Sequence, residues 1–279
     1  MKLLRYGAAG AEKVGALDAQ GNIRDLSLLI PGDLTPDWLS PERLQALTAI
    51  NLEKLPLVDK NVRLGVPVAG TRQFMAIGLN YRAHAAESGL DIPKEPVIFS
   101  KALTSLSGPN DDILLPDDST ATDWEIELGF VIGTKAQKVS EKDALKYIAG
   151  YCLANDVSER DWQIKRNGQW SKGKSFDTFG PIGPWLVTTD ELTDPQKLEM
   201  ELKVNGEVRQ HSNTADMIFP VATIVSYLSQ FMTLLPGDVV ITGTPAGVGL
   251  GMKPQQFLKK GDVVTLRIDQ LGTQTQKVV

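Results

Sequence analysis

The chain has 279 residues, a mass of 30.4 kDa, a formal charge of -5 and a pI near 5.2. Its 42% hydrophobic and 23% charged residues, with mean hydropathy -0.12, exclude a disordered or membrane-embedded class. It has neither a lysine and arginine run to match a phosphate backbone nor a window near ~18 apolar residues, so nucleic acid and membrane are not expected partners. At ~100 to 200 residues per domain the chain holds no more than two cores. The single cysteine, Cys152, cannot close an intrachain disulfide, and the start MKLLRYGAAG lacks the apolar stretch of a signal peptide. Both point to the cytoplasm.

Residues 1–68 read as a small N-terminal α/β domain for packing or dimerisation. It has a strand at Leu3 to Tyr6, a hairpin around Asp18 to Asn22 and a helix after Ser40-Pro41-Glu42. From residue 69 to 279 short β-like runs alternate with Gly, Pro, Asn and Asp. Strands are expected at Phe74 to Gly78, Pro96 to Ser100, Asp123 to Ile132, Gly150 to Asn155, Trp185 to Thr188, Leu198 to Val204, Glu207 to Ser212, Asp238 to Thr242 and Asp262 to Ile268. Asn205-Gly206 marks a tight hairpin, because both residues tolerate positive φ. Helices are expected after the Ser140 to Asp143 capping box, over Ala144 to Ala149, and along the apolar stripe of Phe219 to Leu234. The balance is α+β, built on a mixed sheet or barrel-like roll.

The chemistry begins at Asp123-Trp-Glu125-Ile-Glu127, where a strand would turn all three acids to one face. Such a pattern on an ordinary protein is more often a solvated edge. Here the following residues Leu128, Phe130 and Val131 head into a core, where unpaired acids are costly, and a bound cation resolves the conflict. Asp156 closes another apolar run and can add a third oxygen. Three carboxylates without sulfur or imidazole favour a hard ion, Mg²⁺ or Mn²⁺.

Of the two histidines, His84 stands three residues before Glu87 in a short helical stretch from Tyr81 to Ser88. A carboxylate at i+3 orients an imidazole for general acid/base work, although such pairs are commonly surface pairs. His211 has no such company and reads as structural. The Gly-Lys-Ser at 173–175 lacks the spacing of a phosphate loop, which argues against an NTPase. Lys174 could meet an anionic substrate oxygen. The run Thr242 to Gly249 reads as a loop offering backbone N–H groups and the Thr244 hydroxyl to an anion.

Five segments in order, GLNYRAHAAE, DWEIELGFVIG, GYCLANDVSERDWQ, KGKSFDTFGPIGP and GDVVITGTPAGVG, resemble the fumarylacetoacetate hydrolase superfamily from about residue 70 to 279. The resemblance implies a mixed β-sandwich roll with Mg²⁺ or Mn²⁺ on Glu125, Glu127 and Asp156. It also implies a catalytic His84 and Glu87 on a lid helix, with Lys174 and Gln163 stabilising an oxyanion and Arg160, Thr244 and Tyr81 binding substrate. Asp123 matches an acid that is less constant as a direct ligand. The glutamate that pairs with the histidine from far toward the C-terminus in one branch is not matched. A homodimer acting on a small 2-oxo acid is implied. So is hydrolysis of a 2,4-diketo acid of acylpyruvate type to pyruvate and a second acid, with 2,4-diketo-3-deoxy-rhamnonate or -fuconate as preferred substrates. Oxaloacetate decarboxylation, dienedioate isomerisation and ureidoglycolate lysis use related chemistry, and a non-catalytic metal-binding scaffold is the alternative of another class.

Overall fold

The structure is a computed structural model that describes residues 1–279. Three short strands open the chain as an antiparallel meander: β1 (Lys2–Tyr6), β2 (Lys13–Leu17) and β3 (Ile23–Asp25). Helix α1 (Pro41–Thr48) starts where expected. Ser40 Oγ accepts a 3.4 Å hydrogen bond from the Arg43 N–H, and Leu44 and Leu47 turn inward.

Then follow β4 (Phe74–Gly78), α2 (Arg82–Glu87), β5 (Val97–Ser100), β6 (Leu106–Ser107), β7 (Thr122–Asp123), β8 (Ile126–Ile132), β9 (Ile148–Asn155) and β10 (Ser158–Glu159). A π-helical turn at Asp161–Lys165 leads to α3 (Ser171–Lys174) and β11 (Gly180–Thr188). The chain ends with β12 (Glu199–Val204), β13 (Glu207–Asn213), α4 (Val221–Phe231), β14 (Val239–Ile241), β15 (Val263–Ile268) and β16 (Gly272–Lys277).

Nine of these strands form the path β3-β2-β1-β11-β9-β8-β14-β4-β5, with β6 beside β11 as the tenth. The sheet is mixed, because β14 runs parallel to β4 and antiparallel to β8. It is open, ending at β3 and β5. The second sheet is antiparallel, β13-β12-β15-β16, and β7 pairs with β10 apart from both. No helix is long and apolar enough to cross a membrane.

Period-two alternation divides the interior. Ile126, Leu128, Phe130 and Ile132 of β8, with Tyr151 and Leu153 of β9, enter a 36-residue core shared with α4 and the second sheet. Val131, Cys152 and Ala154 face the other way, into a 21-residue core that also holds Leu3, Val14, Leu44 and Leu47. Every residue of β8 and β9 is therefore buried, as expected for strands covered on both faces. Residues 1–68 extend the main sheet, since Leu3 of β1 pairs with Leu186 of β11. Arg5 pairs with Asp33 at 2.6 Å inside this segment, and Arg63 ties the segment to Asp111 at 2.6 Å.

Three local expectations need correction. The strand expected over Asp123 to Ile132 is interrupted, because Trp124 and Glu125 leave the ladder between β7 and β8. After Ser140 the chain makes a 3-10 stretch, Glu141–Tyr147, and Ile148 and Ala149 already belong to β9. The Ser140 hydroxyl bonds the Asp143 carboxylate at 2.8 Å instead of capping a backbone N–H. Strand β16 was not anticipated because its sequence GTQTQK is polar, yet Gln274 and Gln276 point inward and are fully buried. The Asn205-Gly206 hairpin forms as read, with φ of 53° and 83°.

The β2–β3 hairpin turns on Asp18. Burial alone would raise its pKa, but the Asn22 N–H, the Arg24 guanidinium, the Asn22 side chain and the Gln20 N–H together hold it at about 2. A depressed folded-state pKa contributes stability above the unfolded value of about 4, lost as pH falls toward 2. Asp18→Asn should therefore lower the melting temperature at pH 5 and above, and the difference from the parent should vanish near pH 2. Thermal melts across that range check it.

Candidate active site

The site gathers where β8 begins and β9 ends. Glu127 lies on the Val131 side of β8, Glu125 sits in the gap before that strand, and Asp156 follows Asn155 at the end of β9. One carboxylate oxygen from each lies within 4.8 Å of the others, and all three side chains are buried. Three cations reach the cluster. Lys174 of α3 places Nζ 2.6 Å from Glu125 and 2.7 Å from Asp156, while Lys101, just past β5, donates to Asp156 from the far side. Arg160 contacts Glu125 at 2.7 Å and Asp123 at 2.8 Å.

Asp123 takes no part in the triad. Its oxygens accept the Gly249 N–H at 2.7 Å, the Leu250 N–H at 3.0 Å and the Arg160 guanidinium. The break in the strand turns it toward the loop after β14, so it fastens that loop and Arg160.

Charge does not balance at Glu127, which pairs with no lysine or arginine and accepts only the Gly243 N–H, at 2.7 Å. Burial, then the charges of Asp156 and Glu125, push its pKa well up. At Glu125 burial acts the same way but is outweighed by Lys174, Arg160 and His84, which hold it at about 2. An uncompensated buried charge costs several kcal/mol, and one hydrogen bond to a charged group returns ~1.5 to 3. The oxygens therefore fit a hard divalent cation, which neutralises Glu127 and binds oxygen donors in preference to sulfur or nitrogen.

Above the carboxylates stands α2. His84 Nδ1 is 3.2 Å from Glu87 Oε2, and Glu87 accepts the Gly247 N–H at 3.0 Å. Helix α2 is thus latched to the loop that Asp123 also holds. Gly251 is required there, because a Cβ would overlap the Glu87 carboxylate. A cavity of about 530 Å³ joins His84 and Glu87 to the acidic triad, Arg160, Gln163, Lys174 and Thr244, with Leu90, Phe99, Ile164, Trp170 and Leu250 as apolar walls.

The remaining expected residues sort by what they touch. Gln163 accepts from Arg160 Nη1 at 2.9 Å through Oε1, which leaves its amide nitrogen for a ligand. Thr244 donates to the Ile126 carbonyl at 2.9 Å and accepts from Gln210 at 2.8 Å. Lys174 reaches the triad because α3 packs closely on β10, where a side chain at Gly173 would overlap the Glu159 carbonyl. Two of its three N–H groups face carboxylates, and the third is available. Tyr81 is a correction: it is 1% exposed in the larger core and its hydroxyl donates to Met200 Sδ at 3.2 Å, away from the cavity. It is the residue immediately before α2, three beyond the end of β4, and its ring packs with the core. His211 is exposed on β13 beside Glu199 and does not line the cavity. Lys101, Asn155 and Gln210 were missed. A lysine right after an apolar strand end, at Phe99-Ser100-Lys101, was the one available signal.

Residues 73–279 match the family model described as fumarylacetoacetate (FAA) hydrolase C-terminal, and the chain belongs to that family. A Burkholderia ambifaria protein, whose name goes no further than hydrolase, is 58% identical over 277 residues, 99% of this chain and 98% of its own. Fumarylacetoacetate hydrolase from Exiguobacterium antarcticum is similar at 36% identity with a TM-score of 0.87, covering 100% of this chain and 99% of that one. Maleylpyruvate hydrolase from Sphingobium sp. SYK-6, solved with manganese(II) and pyruvate, gives 29% and 0.83 with coverage of 100% and 99%. A 2-hydroxyhepta-2,4-diene-1,7-dioate isomerase from Mycobacterium marinum gives 35% and 0.75, with coverage of 100% and 98%.

Replacing Glu127 by Gln removes the uncompensated charge. The metal-free variant should melt at or above the parent's temperature and lose the stabilisation that Mn²⁺ gives the parent. Thermal melts with and without Mn²⁺ measure both.

Proposed function

We propose that the chain is a divalent-metal hydrolase that cleaves the C3–C4 bond of a 2,4-diketo acid, giving pyruvate and a second acid. The observation that carries this reading is the His84–Glu87 pair latched over three buried carboxylates in one cavity. A scaffold would need the carboxylates alone. Manganese and pyruvate in the maleylpyruvate hydrolase relative support the same reading.

Glu125, Glu127 and Asp156 would hold Mg²⁺ or Mn²⁺. When bound, the ion supplies positive charge to the substrate's carboxylate and 2-keto oxygens and stabilises negative charge gathering there as the carbon–carbon bond breaks. Glu87 accepts the proton on His84 Nδ1, which leaves Nε2 as the base. His84 takes a proton from water, and the hydroxide attacks the C4 carbonyl. The free amide of Gln163 and the third N–H of Lys174 meet the resulting oxyanion. Collapse expels C3 with its electron pair and forms the second acid. The imidazolium returns the proton to C3, completing pyruvate. The apolar walls limit water to the molecule consumed.

Within this class we favour 2,4-diketo-3-deoxy sugar acids, since Ser88, Gln163 and Gln255 offer polar groups for hydroxyls among those walls. The isomerase relative keeps dienedioate isomerisation as the competing reading. A panel of acylpyruvates, diketo sugar acids, oxaloacetate and an unsaturated dioate, run with Mn²⁺ and with chelator, decides among them. Metal-dependent pyruvate release from 2,4-diketo acids is the expected result. Turnover of oxaloacetate alone, to pyruvate and carbon dioxide, or isomerisation without cleavage, overturns it. His84→Asn should lower kcat by about 10²- to 10⁴-fold while Mn²⁺ affinity stays at the parent's value.

A further inference from the structure

Around the interruption between β7 and β8 three consecutive backbone N–H groups donate to side chains, while the Glu125 carbonyl accepts the Asp156 N–H at 2.9 Å and Ile126 stands opposite Asn155 where β8 begins. Trp124 N–H donates to Asp123 Oδ1 at 2.9 Å, Glu125 N–H to Asn155 Oδ1 at 3.2 Å, and Ile126 N–H to Gln210 Oε1 at 3.0 Å. A buried backbone donor needs such a partner, so the path of the main chain through Glu125 is set by these side chains. Gln210 is fully buried and Asn155 is 1% exposed.

Gln210 does more than accept one bond. Its Nε2 donates to Thr244 Oγ1 at 2.8 Å and to the Pro245 carbonyl at 2.8 Å, and Thr244 donates to the Ile126 carbonyl at 2.9 Å. One amide therefore joins the segment carrying Glu125 and Glu127 to the loop that latches Glu87. The register of β12 against β13 shifts between Leu202 and Lys203, opposite Gln210 and Val208, so that Arg209 is the extra residue. A bulge of this kind re-aims a neighbouring side chain. Here the loop lies directly on it, since a Cβ at Gly247 would overlap the Arg209 carbonyl.

Asn155 is anchored from behind. Its Nδ2 donates to Gln276 Oε1 at 3.2 Å, and Gln276 Nε2 bonds Gln274 Oε1 at 3.0 Å. Gln274 in turn donates to the Leu153 and Gly183 carbonyls. The unexpected strand β16 thus delivers a row of buried amides to the back of the glutamate segment.

We propose that Gln210 and Asn155 are positioning residues for the metal centre: the two amides take the N–H groups of Glu125 and Ile126, and so fix the spacing of Glu125 and Glu127. The inference rests on the reading of the carboxylates as a metal site.

The test is Mn²⁺ affinity, measured by calorimetry on the full chain well below its melting temperature. Gln210→Met and Asn155→Leu remove the amides at near-constant volume. Both should raise the Mn²⁺ dissociation constant about 10- to 100-fold, the range for groups that orient metal ligands. Gln196→Met is the control. It removes a half-buried amide, bonded to the Thr214 carbonyl and the Val221 N–H and touching none of the glutamates, and should leave affinity within twofold. Folded Gln210 and Asn155 variants that bind Mn²⁺ like the parent overturn the positioning role. Equal loss in the Gln196 variant overturns it too, by assigning the effect to general destabilisation. A parent that binds no Mn²⁺ overturns the metal reading itself. If one variant fails to fold, the other tests the adjacent peptide independently.

Discussion

Keeping like charges apart inside a dry interior is the constraint from which the arrangement follows. Asp123, Glu125, Glu127 and Asp156 are all nearly inaccessible to solvent, and each needs a counterpart that water would otherwise supply. Arg160, Lys174 and Lys101 meet three of them from three separate elements. The fourth is left to a backbone N–H, which is too weak a partner for a full charge. Neutralisation is therefore incomplete at the one carboxylate the protein does not pair, and a cation bound among these oxygens would complete it.

The same pairing organises the cavity. Asp123 spends both oxygens on the loop after β14 and on Arg160. That loop holds Glu87 through Gly247 and faces Gln210 through Thr244 and Pro245. Helix α2, the acidic triad and Arg160 thus share one support, so displacing the loop would disturb the His84–Glu87 pair and the carboxylates together. Burial of Lys101 pulls its pKa down, and at Lys174 burial is outweighed by Asp156 and Glu125, which raise it. Two lysines meeting the same carboxylate are held in different electrostatic states by their surroundings.

Legibility in the sequence followed the range of the interaction. Strands β4, β8 and β9 were readable because period two and apolar runs are local. Glu125, Glu127 and Asp156 were readable because acids on apolar strands are costly without a cation. His84 and Glu87 were readable because three residues on a helix is contact distance. Strand β16 was hidden, since polarity normally signals exposure and its inward glutamines are satisfied by one another and by distant carbonyls of Leu153, Gly183 and Pro109. Tyr81 was misplaced because nothing local shows which way a ring turns where a helix begins.

By itself the sequence determined the alternation that buries β8 and β9, the tight turn at Asn205-Gly206, and which acids stand close enough along the chain to conflict. These are consequences of backbone geometry and neighbouring residues. The tertiary structure decided which acid leaves the cluster, which cations pair with the others and which peptide groups go to side chains. Those outcomes depend on the strand break after Asp123, the bulge at Arg209 and the approach of a distant loop. Each is settled by packing and by satisfaction of buried polar groups across the whole fold, which no window of sequence contains.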